Sequence, residues 1–319
     1  MTINELNLVV FGTSILWGQG LGEPDKIHSR VAAALREQSP GRRVNVIFLA
    51  HSGASTGYLS TGSVDTHREP PLHGEVPTLY PTILQEIDAF DELGSPPDSV
   101  DVILLDAGIN DVHVTRILEP LTQPRDIEKL VELYCHQHML KLVAEILTKF
   151  SCARLVLVGY YEFLTEDSEE GYIHTLARAI GTVPGGAILD AVADAAERLL
   201  KRRLLANCDT FAARSWVARE QTAAEMNRQF PCDRVAVAWP VIPTEHAAFT
   251  SDPWLYGIND DLSPQDPLAP MRASACYGAG SSRTRVIFYE KVSAGHPNPK
   301  GARAYADAIL ARLSECITS

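Results

Sequence analysis

Apolar and polar positions in the first half of the chain fall into a repeating order: a short apolar run, then a stretch with helical spacing. Residues 6–11, 44–50, 100–105 and 155–158 are short, mostly apolar runs that read as strands. The run at 100–105 is mostly apolar, β-branched and leucine, which suits a parallel strand covered on both faces. Between these runs, residues 27–37 carry Val31, Ala34 and Leu35 at helical spacing, and residues 127–150 hold a long helical pattern. Strands separated by helices predict βαβ units, and so a parallel sheet with helices on both faces.

The second half is less regular. Residues 187–205 and 215–230 read as two helices, 235–241 as a fifth strand and 285–289 as a short additional one. Residues 243–285 are rich in Pro, Gly, Asp and Ser, and a loop of that length in a compact domain marks a functional or mobile region. The chain closes on a helical pattern over 299–313, with Asn298 as N-cap and Pro299 at the first helical position. With no repeat of domain size, the pattern reads as one domain over residues 1–319, elaborated around its site at 160–285.

Composition narrows the class. With 319 residues, 45% hydrophobic and 21% charged, the chain has the balance of a globular protein with a substantial core. A formal net charge of −12 argues against nucleic acid and anionic membrane surfaces as partners, since both need a basic footprint. The opening MTINELNLVV has no basic segment before its apolar run and reads as a first strand rather than a secretion signal. No stretch approaches the roughly 20 apolar residues of a membrane helix, so a cytoplasmic location without a membrane span is expected. The six cysteines stand singly, which disfavours zinc and, in that location, favours reduced thiols. His136 and His138 are two apart in a predicted helix and face different sides of it, so no metal is expected there. Oligomeric state is not legible.

Candidate chemistry gathers where a parallel sheet binds ligands, beyond the carboxyl ends of its strands. After the first strand comes Gly12-Thr13-Ser14, a turn that can present a hydroxyl, with the Ser14 N–H free to donate to an oxyanion. After the second comes Ser52-Gly53, where glycine lets a main-chain N–H approach a reacting carbonyl. After the third comes Gly108-Ile109-Asn110-Asp111, whose asparagine amide can donate to developing negative charge. Before the last helix comes Gly295-His296-Pro297-Asn298, which supplies the usual base for activating a serine.

In this order the four blocks resemble the SGNH (GDSL-like) hydrolases, matching at Ser14, Gly53, Asn110 and His296. Trp17-Gly18-Gln19-Gly20-Leu21 and Gly301 are similar as well, and residues 160–285 match nothing specific. The resemblance implies a three-layer α/β/α sandwich around a five-stranded parallel sheet, of flavodoxin-like type. It also implies a cofactor-free serine esterase of the carboxylesterase or lipase-like kind. Two positions depart from the pattern: Thr13 stands where the family has Asp in its Gly-Asp-Ser turn, and Ser293 where it has the Asp of Asp-x-x-His. The second matters more, because that carboxylate orients the base. Ser293 itself, a main-chain carbonyl, or a carboxylate from Glu290, Asp252 or Asp260 are candidates for the task.

On this reading His296 takes the Ser14 proton, Ser14 attacks an acyl ester, and the oxyanion is held by the Ser14 and Gly53 N–H groups and the Asn110 amide. A small or lipid-like ester is the expected substrate. An acyltransferase working through the same acyl-enzyme and an inactive binding module remain alternatives. A flavodoxin-like nucleotide binder is disfavoured by the bulky Ile15, Leu16 and Trp17 after the first turn. Gly257-Ile258-Asn259-Asp260 repeats the third block but follows no buried strand. Phe249, Trp254, Leu255 and Tyr256 read either as anchors that pin the long loop or as a lid over the site.

Overall fold

The computed structural model describes residues 5–66, 81–171, 173, 190–230, 233–257, 266–278 and 291–317. Five strands, β1 (Glu5–Phe11), β2 (Arg43–Phe48), β3 (Val102–Leu105), β4 (Arg154–Val158) and β5 (Val235–Ala238), form one sheet in the order β2-β1-β3-β4-β5. Every neighbouring pair is parallel. Successive strand side chains point to opposite faces, and here both faces are covered. Leu8, Val10, Val102, Leu104, Val156 and Val158 share one core with α2 (Ile27–Gln38) and the C-terminal α10 (Pro299–Ile317). Val9, Phe11, Ile103, Leu105, Leu155, Leu157, Val235 and Val237 share the other with α3 (Ile83–Glu92) and α7 (His138–Lys149). Burial on both faces is why the strands read as mostly apolar runs rather than as a strict alternation. Truncating a central residue such as Leu104, which has no exposed surface, to Ala costs about 2–5 kcal/mol. This is the five-stranded, three-layer architecture that the resemblance implies.

The order places β1 between β2 and β3, so the chain leaves β1 in one direction and returns past it in the other. Connections diverge beyond the carboxyl ends of β1 and β3, the crevice where sheets of this order bind ligands. Two short helices start there, α1 (Ser14–Trp17) after β1 and α4 (Ile109–Val112) after β3, followed by α5 (Val114–Ile117).

The helices depart from expectation in instructive places. The predicted 127–150 helix is α6 (Pro124–Val131), a π-helical turn (Glu132–Gln137) and α7 in continuous succession. Ile127, Val131 and Cys135 face one core, and Met139, Leu142, Val143 and Ile146 the other. The wider turn lies where the stripe changes cores, against the third block: a Cβ added at Gly108 would sit 2.8 Å from Cys135 Sγ. The two helices expected over 187–205 and 215–230 are one, α8 (Asp190–Gln229). Its middle, residues 206–214, contains Ala206, Ala212 and Ala213 and no Gly or Pro, so nothing stops the helix. Cys208 and Phe211 continue the buried stripe through it. Helix α9 (Ala269–Gly278) lies inside the stretch read as loop. Strand β5 ends at Ala238, two residues before Pro240, which cannot donate to a ladder. The expected strand at 285–289 lies outside the described residues. Cys135, Cys152 and Cys208 are free thiols, and no described helix is long and apolar enough to cross a membrane.

Candidate active site

Ser14 is the first residue of α1, where a main-chain N–H has no partner within the helix. The turn before it is gripped by two buried acids. Asp106, the residue after β3, accepts from the Thr13 N–H at 2.9 Å with one carboxylate oxygen and from the Thr13 hydroxyl with the other. Glu86 of α3 accepts from the Gly12 N–H at 2.8 Å. Gly12 takes φ +154°, and a Cβ there would lie 2.0 Å from Asp106 Oδ1, so the close approach requires glycine. Burial pushes the Asp106 carboxyl up to about 6, against the pull of Thr13 and of the nearby Arg219 charge. Burial drives Glu86 well above the usual carboxylate range, the Gly12 bond opposes it, and the charge of Asp106 adds to it. Arg219 of α8 is fully buried. It donates to the Val158 and Ala107 carbonyls at 3.0 and 2.9 Å, tying the ends of β3 and β4 beneath the site.

The second and third blocks meet beside this turn. Gly53 takes φ +86°, a conformation that side-chain-bearing residues rarely adopt. The Asn110 amide donates to the Ala54 carbonyl at 2.8 Å, so one amide hydrogen anchors the block and the other makes no bond among the described residues. Asp111 binds the Thr56 hydroxyl at 2.6 Å and its N–H at 3.1 and 3.2 Å, clamping the second block to the third. Burial pushes the Asp111 carboxyl up to about 6, opposed by those Thr56 donors. Ser52 donates its hydroxyl to Gln19, joining the second block to the first.

His296 approaches from α10. Its Nε2 lies 2.7 Å from Ser14 Oγ, and its Nδ1 lies 3.2 Å from the Ser293 carbonyl oxygen. Burial pulls the imidazole down to about 4; the Ser293 carbonyl and Asp266 raise it, and Arg272 lowers it. The loop carrying it is held by a small antiparallel pairing with residues 254–256. The Tyr256 N–H donates to the His296 carbonyl at 2.8 Å, Gly295 to Tyr256 at 2.8 Å, and Asn298 to Trp254 at 3.0 Å. Asn298 caps α10 as expected, accepting from Lys300 N at 2.8 Å and Gly301 N at 3.3 Å, while its amide reaches the Pro253 carbonyl.

The structure therefore brings Ser14 and His296 into contact and sets Gly53 and Asn110 on the same edge. Of the candidates for orienting the base, the Ser293 main-chain carbonyl is the one that lies within hydrogen-bond distance of Nδ1 among the described residues. Asp252 is bound instead to Lys300 at 2.6 Å and approached by His246 at 3.5 Å. Glu290 and Asp260 lie outside the described residues, as do Ile258 to Asp260 of the repeated tetrapeptide. Phe249, Leu255 and Tyr256 are buried in the core and Trp254 stacks on His246, so these side chains pin the loop rather than cover the site. Sequence reasoning missed Asp106, Glu86 and Asp111. The first lies one residue beyond a strand and the third sits in a block already singled out, so both were open to notice; Glu86 carries no local signal. His136 pairs with Glu132 and Glu225 while His138 is buried between Tyr58 and Tyr134, so the two do diverge. Among the described residues, no group of His, Cys, Asp and Glu is placed to hold a metal ion.

No protein-family model matches the chain, and no curated protein matches it. Solved structures do. Phospholipase A1 from Streptomyces albidoflavus NA297 is similar at 15% identity and TM-score 0.48, over 96% of this chain and 98% of that one. The extracellular lipase from Streptomyces rimosus is similar at 16% identity and TM-score 0.47, over 98% and 99%. The lipase Lip_vut3 from a goat rumen metagenome is similar at 12% identity and TM-score 0.44, over 96% of each chain.

Proposed function

We propose that the protein is a serine esterase of SGNH type, cleaving acyl esters through an acyl-enzyme on Ser14 with His296 as general base. One observation supports this above the others: Ser14 Oγ and His296 Nε2, 282 positions apart in the chain, stand 2.7 Å from each other. That is the hydrogen bond along which a proton must travel when a serine is activated. Burial keeps His296 neutral near pH 7 and so able to accept that proton.

In the proposed cycle His296 takes the Ser14 proton as Oγ adds to the ester carbonyl. The carbonyl oxygen becomes an oxyanion, held by the N–H groups of Ser14 and Gly53 and the free amide hydrogen of Asn110. Collapse expels the alcohol, which leaves with the proton from His296. Water, deprotonated by the same histidine, then releases the acid. The Ser293 carbonyl fixes which ring nitrogen carries the resting proton: Nδ1–H donates to it, leaving Nε2 free to face Ser14.

The test is hydrolysis of p-nitrophenyl acetate and butyrate by the wild type beside Ser14→Ala and His296→Ala. Loss of turnover in both variants supports the esterase, and an added alcohol that diverts the acyl group to a new ester makes it an acyltransferase. Equal rates in all three proteins refute the proposal and leave a binding module as the reading.

A further inference from the structure

The segment that follows β4 carries two consecutive tyrosines, and each reaches a different block of the site. The Tyr161 hydroxyl donates to the Gly295 carbonyl, in the loop that carries His296. The Tyr160 oxygen accepts from the Ile109 N–H at 3.2 Å, in the block that carries Asn110. Ile109 is the first residue of α4, so its N–H has no partner within the helix. The tyrosine supplies that partner from 51 positions away in the chain. Tyr160 is buried, and burial drives its phenol well above the ordinary tyrosine range, so the accepting group is a neutral hydroxyl. Its ring is held by two residues of α8. Phe211 lies at 5.4 Å between ring centroids, and the Arg219 guanidinium stands 4.3 Å over the ring.

Residues 107 to 110 are thus held one at a time. Arg219 donates to the Ala107 carbonyl at 2.9 Å. Gly108, at φ +104°, lies so close to Cys135 that an added Cβ would sit 2.8 Å from its Sγ. Tyr160 takes the Ile109 N–H, and the Asn110 amide is tied to the Ala54 carbonyl at 2.8 Å. The first two contacts hold the approach to the block, and the last fixes one amide hydrogen of Asn110. The Ile109 bond fixes the main chain from which the Asn110 side chain springs. We infer that Tyr160 is a positioning residue for the reaction: by anchoring the Ile109 N–H it sets the start of α4, and with it the direction in which the Asn110 amide meets the oxyanion. The inference rests on the proposed esterase cycle, in which Asn110 is an oxyanion donor. Such a donor must stand in place before charge develops, so a small misplacement weakens transition-state stabilisation and leaves ground-state binding nearly unchanged.

Tyr160→Phe removes the oxygen and keeps the ring. Its kcat on p-nitrophenyl acetate should fall about tenfold with KM little changed, against about 100- to 1,000-fold for Asn110→Ala, which removes the donor outright. The deciding measurement is a double-mutant cycle. Because Tyr160 acts through Asn110, Tyr160→Phe should cost nothing further in kcat once Asn110 is alanine. Tyr161→Phe, which takes the neighbouring hydroxyl from the His296 loop instead, should lower kcat by the same factor in both backgrounds. A Tyr160→Phe loss as large in the Asn110→Ala background as in wild type would overturn the inference and leave the hydroxyl as a general brace, and so would a Tyr160→Phe variant of wild-type kcat. Should Tyr160→Phe fail to fold, a ring-fluorinated tyrosine at position 160 keeps the shape and weakens the acceptor, and the same cycle is read from it. The NMR signal of the Asn110 side-chain amide, assigned by its loss in Asn110→Ala, gives a readout that needs no turnover. It should move in Tyr160→Phe and stay in place in Tyr161→Phe, and a signal unmoved by Tyr160→Phe also overturns the inference. A wild type without esterase activity in which that signal still moves would defeat the esterase reading while sparing the link from Tyr160 to Asn110.

Discussion

Replacing Asp106 by Asn isolates the charge beneath the nucleophile turn. The amide keeps an oxygen for the Thr13 N–H and sets an NH2 against the Thr13 hydroxyl, which can turn and accept, so the turn retains its shape. What changes is the linkage to pH. Burial raises the Asp106 carboxyl from the ordinary 3.8 to about 6, so the folded state binds its proton more tightly than the unfolded chain does. Its contribution is most favourable below 3.8, declines as pH rises through about 6, and is constant above that. At 1.36 kcal/mol per pKa unit the full decline is about 3 kcal/mol, and the part between about pH 4.5 and 7.5 is about 2 kcal/mol. Urea unfolding of both proteins across that range should therefore show Asp106→Asn gaining about 2 kcal/mol on wild type toward the alkaline end. Asp111 and the histidines titrate in both proteins and cancel in the difference, while Glu86, relieved of the Asp106 charge that helps raise it, adds to the gain in the same direction. A stability difference that stays flat with pH would refute the argument, because it would mean that Asp106 titrates alike in the folded and unfolded chains.

Other expectations follow from the same geometry. Asn110→Ala removes one oxyanion donor and should lower kcat on p-nitrophenyl acetate by about 100- to 1,000-fold with little change in KM; unchanged turnover would take Asn110 out of the mechanism. Because His296 is pulled down to about 4, it stays neutral well below the ordinary histidine range. The acidic limb of kcat/KM should accordingly fall near pH 4 to 5 rather than near 6.5, and a limb at 6.5 would show that the ring is solvated in solution. Gly12→Ala drives a methyl group to 2.0 Å from Asp106 Oδ1 and should displace that carboxylate from Thr13. The expected cost is about 2–4 kcal/mol in urea unfolding, with lost turnover, and a variant of wild-type stability would argue that the turn yields freely.

Much of the frame was legible because burial on both faces writes itself into sequence. All five strands stand where apolar runs stand, and the βαβ rule carried Ser14, Gly53 and Asn110 to one edge before any coordinates. Helix α3 was missed although Thr82 and Gln85 form a capping box at its start, a local signal that was present. The break expected between residues 205 and 215 has no counterpart in α8, whose alanines there favour the helix and whose Cys208 and Phe211 remain buried. Other features had no local trace. The pairing of residues 254–256 with the His296 loop joins segments with no shared period, and Glu86 beneath Gly12 looks in sequence like any charge on an amphipathic helix. The π-helical turn was hidden for a similar reason, since the Gly108 loop that packs against it is distant in sequence.

The two departures from the SGNH motif that the sequence resembles have a common physical form. At position 13 a carboxylate would have faced Asp106 across a hydrogen bond, two acids in a buried space where one is already raised to about 6. A threonine instead donates, so Thr13 and Asp106 are complementary: the acid stands at the end of β3 and the turn supplies its donor. At position 293 an aspartate would have met Asp266, which converges on the same point beside Gly20. A serine there adds no second negative charge, and Asp266 keeps Arg272 as its counter-ion. In both places the residue that differs is small, uncharged and buried, and an acid from another element lies against it. The absence of an aspartate at 13 and 293 is thus the physical counterpart of an acid that the fold already supplies beside each position.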